Sequence, residues 1–418
     1  MKLFLTTAFG VLTLLACQNN QTNTNNSTQA NLNDTVNLDS QTNSPVETED
    51  PNTDFEPSFE GQTRAPGLVT STEYEGTLIT SDLDEPWGIT PLPDGRLLIT
   101  ENEGNMRIVN PDNGEIGDEI TGIPDVDDKG QGGLLGLTLD PNFSSNKMIY
   151  WVFSEKVANG NHSAVAKGKL SSDEKSIENP QVIYRSTPTY NGDKHFGGRI
   201  IFDNDGNLFV SIGERSDKGI REEAQNINSS LGTIIRITTD GQPVAGNPFE
   251  GHSDGLPEIY TYGHRNPQGL DFHPETGELW SNEFGPQGGD ELNLIKPGKN
   301  YGWPIITYGI EYSGDFIGNP PIQQKEGMEQ PVYYWDPVLS PSGMTFYTGN
   351  IEEWKNNLFI TGLNSHHIAR IVLENNRVIG EERILENEGQ RFRDITQGED
   401  GALYAITDEG RLYKIDKK

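Results

Sequence analysis

Arg391 and Arg393, one residue apart in QRFRDI, are the first residues in this chain whose spacing implies chemistry. Successive side chains of an extended strand point to opposite faces, so both guanidiniums project to one side and Phe392 to the other. A third arginine, Arg265, stands beside Asn266 in YGHRNPQGL. If the three converge, they repel one another unless something negative lies among them. Arginine's planar fork matches carboxylates and phosphates, so a bound anion is one reading. The other is that each pairs with its own acidic neighbour, because the chain holds 63 Asp and Glu against 31 Lys and Arg. Residue types alone leave both open.

His195 lies in KHFGGRI, directly before a strand–turn–strand unit that ends with Glu214 in SIGER. A carboxylate reaching back to an imidazole orients it and raises its basicity, as a general base requires. A structural histidine has the same local sequence. The stretch GPQGGDE, Gly285 to Glu291, combines turn carbonyls with carboxylates. Such oxygen donors suit calcium better than zinc, although the stretch is not an EF-hand loop and a plain glycine-rich connection looks alike. Gln131 in KGQGGLLGL and Asn364 in TGLNSHH flank other units in the same way.

The elements that must position these residues repeat. PWGITPLPDGRLLITENEG, LLGLTLDPNFSSNKMIYWVFS, GRIIFDNDGNLFVSIGER, QGLDFHPETGELWSNEFG, SGMTFYTGNIEEWKNNLFITGL and FRDITQGEDGALYAITDEG each carry a strand, a turn and a second strand. Asp-Gly, Asn-Gly and Thr-Gly pairs at the turns are hairpin signals. A unit recurring every roughly 50 to 75 residues predicts an all-β, six-bladed β-propeller with four antiparallel strands per blade. In such a ring, equivalent loops gather at one mouth of a central channel. A β-sandwich with look-alike hairpins is the alternative. The 47 glycines and 25 prolines agree with a turn-rich β chain.

The formal charge of −32 argues against nucleic acid and anionic membrane surfaces as partners. The single cysteine, Cys17, excludes an intrachain disulfide and a cysteine-based zinc site. It ends a lysine-led apolar run, MKLFLTTAFGVLTLLAC, which resembles the signal peptide and lipobox of bacterial lipoproteins. Residues 1–17 are thus expected to direct export, with Cys17 as a lipid anchor in the periplasm or on the cell surface; a plain secretion signal is the alternative. Residues 18–64, rich in Asn, Thr, Gln and Ser, are expected to form a disordered tether. The propeller is expected over 65–418, with its folded part beginning near Leu68.

PWGIT, GQGGLLGL, HFGG, GHRNPQGL, EFGPQGGDELN, KNYGWP, SPSGM and RFRD, in this order from about Leu68 onward, together resemble the soluble PQQ-dependent sugar dehydrogenases. This family includes soluble glucose dehydrogenase and the aldose sugar dehydrogenases, and GKNYGWPIITYG is more similar to the latter branch. The resemblance implies oxidation of an aldose to its lactone with pyrroloquinoline quinone (PQQ) and calcium, the electrons passing on to an external acceptor. His195 then matches the catalytic base, and Arg265 and Asn266 the pair at the quinone oxygens. Gln131 matches a residue at the edge between histidine and quinone, and Tyr312 a further PQQ contact. Arg391 and Arg393 match the arginines on the PQQ carboxylates. Gly285 and Pro286 match the carbonyl ligands of the catalytic calcium, and Glu291 and Tyr301 a second, structural calcium site. Gly197 and Gly198 are expected to clear space for the cofactor. Asn364 stands where the family usually has a lysine, with His366 or His367 as candidates to compensate. Two competing readings are a calcium-dependent propeller lactonase and a non-catalytic, surface-tethered propeller that binds carbohydrate or a protein.

Overall fold

The computed structural model describes residues 44–418. Cys17, the expected signal peptide and the tether as far as residue 43 lie outside them. Six four-stranded antiparallel sheets form the blades. Blade I is β1–β4 (Pro86–Pro91, Leu97–Glu101, Asn105–Asn110, Glu115–Ile116) and blade II is β5–β8 (Leu134–Leu139, Met148–Val157, Gly160–Leu170, Ile177–Arg185). Blade III is β9–β12 (Ile200–Phe202, Leu208–Ile212, Thr233–Ile237, Ile259–Tyr262) and blade IV is β13–β16 (Pro267–Phe272, Leu279–Glu283, Asp290–Ile295, Tyr333–Trp335). Blade V is β17–β20 (Pro341–Phe346, Leu358–Gly362, Ile368–Glu374, Arg377–Ile384). Blade VI takes β21–β23 (Phe392–Gln397, Leu403–Thr407, Leu412–Lys417) from the C-terminus. Its outer strand, Tyr74–Thr80, comes from the N-terminal side and pairs with β23. The first strands of the blades pack against one another in a closed circle, I to II and onward to VI and back to I. This is the expected propeller.

The core follows from the period-two geometry of strands. LLITE of β2, LFVSI of β10, LWSNE of β14, LFITG of β18 and LYAIT of β22 are buried at every position. Neighbouring blades cover both faces of these second strands, which therefore need apolar residues on both. Leu98 packs with Trp151 and Phe153 of blade II, whereas Leu97 and Ile99 pack with Tyr404 and Ile406 of blade VI. Phe359 likewise turns to blade VI while Leu358 and Ile360 turn to blade IV. Each pair of successive blades thus shares one hydrophobic layer.

Below the cavity described next, a buried ion pair crosses the channel between opposite blades. Arg199 Nη1 donates to Asp394 Oδ2 at 2.6 Å, and both side chains are less than a tenth exposed. Arg199 also reaches the carbonyl of Gln268 in blade IV, and Asp394 accepts the amide of Ile89 in blade I. Four blades therefore meet at one charged junction.

Residues 44–64 differ from the expected tether. They lie along blades IV and V, with Gln62 fully buried and its amide donating to the carbonyl of Pro331. Arg64 donates to the carbonyl of Asp336. The polar side chains of this stretch find partners on the propeller, so its composition does not mark it as free chain.

Candidate active site

In five blades the pairing of the first strand slips at its start, as between Pro86 and Gly88 or between Phe392 and Asp394. Such bulges re-aim side chains at the rim of a sheet. In blade III a tight turn does the same, with left-handed backbone at His195 (φ 51°), Gly197 (φ 70°) and Gly198 (φ 114°). These segments and the loops leaving the second strands surround a cavity of about 450 Å³. Gln131, His195, Arg265, Asn266, Tyr312, Asn364, Arg391 and Arg393 all line it. Gly285, Pro286, Glu291 and Tyr301 do not, although Phe284, next to the turn, does.

The turn carrying His195 is gripped from three blades. Gln131 Oε1 accepts the His195 amide at 2.9 Å. Asn266 Oδ1 accepts the Gly197 amide at 3.0 Å, and Gln268 Nε2 donates to the Gly197 carbonyl at 2.9 Å. Within blade III, Glu214, fully buried, meets His195 Nδ1 at 2.7 Å. The carboxylate fixes the tautomer: Nδ1–H donates to Glu214, and Nε2 is left without a protein partner among the described residues. Burial and the nearby Arg265 charge nevertheless push the imidazole down to about 4, against the opposing pull of Glu214. The expected gain in basicity is outweighed by desolvation. His195 is therefore a neutral acceptor at ordinary pH.

The glycines have a different cause from the one expected. A Cβ on Gly197 would lie 2.5 Å from the carbonyl oxygen of Ser211, and one on Gly198 2.8 Å from Leu135. They admit the backbone of β10 and a side chain of blade II, and they adopt positive φ; the space they free is not that of the cavity.

Both readings of the arginines are partly realised. Arg391 Nε and Arg393 Nε share one carboxylate, Asp408, at 2.9 and 2.7 Å. Arg391 Nη1 also donates to Asn364 Oδ1. Neither Nη of Arg393 has a partner among the described residues. The Arg265 guanidinium has no carboxylate partner among the described residues: its Nη1 reaches the Phe284 carbonyl at 3.3 Å, its Nε is buried without a partner among them, and only its backbone amide meets a carboxylate, that of Glu283. Three guanidiniums thus line a cavity with two carboxylates, Asp408 and Glu85. In a chain of charge −32 this local positive surplus fits an anionic guest. His367 is buried against the charges of Arg383 and Glu47, and His366 is exposed. Neither lines the cavity, so neither stands in for the missing lysine.

Tyr312 stands at the mouth, 75% exposed. The GPQGGDE turn joins β14 to β15 beside the cavity. Asp290 is spent on three backbone amides, those of Gly285, Leu339 and Ser340. The carbonyls of Gly285 and Pro286 accept no hydrogen bond among the described residues. Glu291 faces Glu283 across the two strands, and burial together with that neighbour holds its carboxyl well above the usual range. Tyr301 lies on the other side of Glu283, stacked at 4.5 Å on His264, which binds Glu283. Its hydroxyl is committed to the Leu294 carbonyl and the Lys296 amide. No group of three or more His, Cys, Asp or Glu side chains is arranged to hold a metal among the described residues.

Arg215 is a residue that sequence reasoning passed over. It is 1% exposed, its Nε donates to the Lys194 carbonyl, and its guanidinium lies 3.8 Å from the ring centre of Phe196. It braces both neighbours of His195. Its place directly after Glu214 was the only available signal.

The family described as glucose/sorbosone dehydrogenase matches residues 83–414. The chain belongs to this family. Aldose sugar dehydrogenase YliI of Escherichia coli K12 is 38% identical over 346 residues, covering 82% of this chain and 92% of its own. A solved structure described as glucose dehydrogenase superposes with a TM-score of 0.79 at 40% identity, covering 82% of this chain and all of the other. The PQQ-bound form of aldose sugar dehydrogenase from Streptomyces coelicolor gives a TM-score of 0.68 at 29% identity, covering 84% and 100%. The family implied by the motifs is the one found.

Proposed function

We propose that this chain is a PQQ- and calcium-dependent oxidoreductase that converts aldose sugars to their lactones. One observation carries the reading: a cavity with surplus guanidinium charge adjoins an imidazole kept neutral. A flat tricarboxylate quinone suits that surplus, and the family's aldose sugar dehydrogenases lend it support. Arg391 and Arg393 would hold carboxylates of PQQ through the Nη donors that Asp408 leaves free. Arg265, whose Nε lacks a partner, and Asn266 supply donors where negative charge grows. When bound, PQQ supplies the two-electron acceptor that takes a hydride from the sugar's anomeric carbon. His195 Nε2 takes the proton of the anomeric hydroxyl, while Glu214 keeps the ring oriented and stabilises the imidazolium as it forms. Calcium would sit at the carbonyls of Gly285 and Pro286 and act as a Lewis acid. A second calcium would relieve the opposed Glu283 and Glu291, the site to which the family resemblance assigns Tyr301. Export, lipidation at Cys17 and an external electron acceptor belong to the same reading.

The test is reconstitution of the chain without residues 1–17, with PQQ and calcium, followed by dye reduction over a sugar panel. His195→Ala is expected to lower kcat by about 10²–10⁴-fold while the quinone absorbance stays bound. Failure of the wild-type protein to take up micromolar PQQ would overturn the proposal and favour the carbohydrate-binding alternative.

A further inference from the structure

Residues 52–62 form a strap against the loops that frame the candidate active site, and they precede residue 83, where the family match begins. Asn52 ties it to these loops through four hydrogen bonds. Its amide and Nδ2 donate to Asp336 Oδ1 at 2.9 and 2.8 Å, and Nδ2 also donates to the Pro337 carbonyl at 3.0 Å. Its Oδ1 accepts Nε2 of Gln287 at 3.1 Å. Gln287 directly follows Pro286, so Asn52 lies one hydrogen bond from the turn in which the Gly285 and Pro286 carbonyls accept no hydrogen bond among the described residues. Thr53 adds two longer contacts to Asp336 Oδ2. Every hydrogen bond to the Asp336 carboxylate among the described residues thus comes from the strap; the residue is 5% exposed, and Arg64 reaches its backbone carbonyl rather than its carboxylate.

Further along, the strap holds the segment that backs this turn. Ser58 Oγ and the Tyr308 hydroxyl are 2.5 Å apart, and that hydroxyl also reaches Gln62. Tyr308 lies against the turn, since a Cβ on Gly289 would meet the Tyr308 carbonyl carbon at 2.8 Å. Phe55 contacts Phe316 at 5.8 Å, four residues beyond Tyr312 of the cavity mouth.

We infer that the strap is a positioning device for the Gly285–Asp290 turn and the Tyr308–Phe316 loop, with Asn52 as its principal positioning residue. Without it Asp336 is a buried, unpaired acceptor beside Gly288, and Gln287 loses its anchor. The turn then loses the side-chain contacts that hold it in one conformation. The inference deepens the proposed PQQ and calcium reading and rests on it only for the ligand.

The experiment compares wild type with Asn52→Ala, both with residues 18–418 intact, by amide hydrogen exchange without cofactor. A second measurement follows the quenching of tryptophan fluorescence by PQQ at graded calcium. Faster exchange is expected in peptides covering 284–291 and 308–316, with the strands of blades I, II and VI unchanged. PQQ uptake by the variant is expected to need a roughly 10-fold higher calcium concentration, the scale of an outer-shell ligand loss. Unchanged exchange in those two peptides, or acceleration spread evenly over all blades, would overturn the inference. If wild type takes up no PQQ, the functional reading fails, while the exchange result still decides the strap.

Discussion

The imidazole of His195 sits between one carboxylate and two guanidiniums, and their balance with burial sets its proton affinity. Burial acts first, Arg265 second, and both favour the neutral ring; Glu214 opposes them. The folded value of about 4 lies below the ordinary 6.5. Between those values the unfolded chain binds a proton that the folded chain refuses. His195 therefore leaves stability intact above pH 6.5 and subtracts from it as pH falls toward 4. Arg265→Gln removes one cause, so the His195 midpoint in cofactor-free protein is expected to rise, as read by NMR titration of the ring. Glu214→Gln is expected to move it the other way. A midpoint indifferent to Arg265 would show that the two groups do not share one site. None of this balance was legible in the sequence. HFGG and SIGER named the partners, but their desolvation depends on blades II and IV closing over them.

At the scale of elements, the strand that follows the base is as consequential as the base. Gly213 directly follows β10, and a Cβ there would lie 2.2 Å from the His195 carbonyl oxygen and 2.6 Å from Asn266 Oδ1. Asn266 Oδ1 is held by the Gly197 amide and the His195 carbonyl belongs to the backbone of the turn, so neither yields without moving the turn. Gly213→Ala is expected to cost about 1–3 kcal/mol by overpacking. It is also expected to lower kcat/KM by about 10²-fold through misplacement of Nε2, because catalytic geometry tolerates little displacement. Thermal melts and steady-state kinetics on the reconstituted enzyme check the two; full activity would separate the turn from the chemistry. The hairpins were readable because their turn residues and alternation are local. Gly95 and Gly206, for instance, stand at turn positions with positive φ and open space around them. Gly198 was misread because what crowds it, Leu135, comes from blade II, which sequence alone does not bring near; Gly197 is crowded by Ser211 from its own hairpin, and the direction of that approach is not a sequence signal. Second strands buried on both faces were readable as apolar runs, whereas the outer strand Tyr74–Thr80, half-exposed and remote from its blade in sequence, was not.

For the molecule as a whole, the number of blades and their circular order could be read from the repeat, and so could the convergence of seven cavity residues, whereas Tyr312 came only from the family resemblance. The start of the folded region could not, because residues 44–64 have the polar composition of the stretch before them and are held largely by partners more than 200 residues away, such as Tyr308 and Asp336. The junction of Arg199 with Asp394 was equally hidden: RFRD drew attention to its arginines, and the aspartate after them closes the channel. That junction sets the last expectation. Asp394→Ala leaves the Arg199 guanidinium buried and unpaired, which costs about 3–5 kcal/mol when one partner of such a pair is removed. Asp118→Ala breaks an ion pair with Lys175 in which both side chains are well exposed, and it is expected to leave the urea midpoint where it was. The double variant Arg199→Met, Asp394→Leu buries no charge and is expected to recover much of the loss, because replacing both members removes the desolvation cost along with the attraction. If Asp394→Ala proves as mild as Asp118→Ala in urea denaturation, the pair does not tie opposite blades together, and the floor of the cavity must be held by the hydrophobic layers between blades alone.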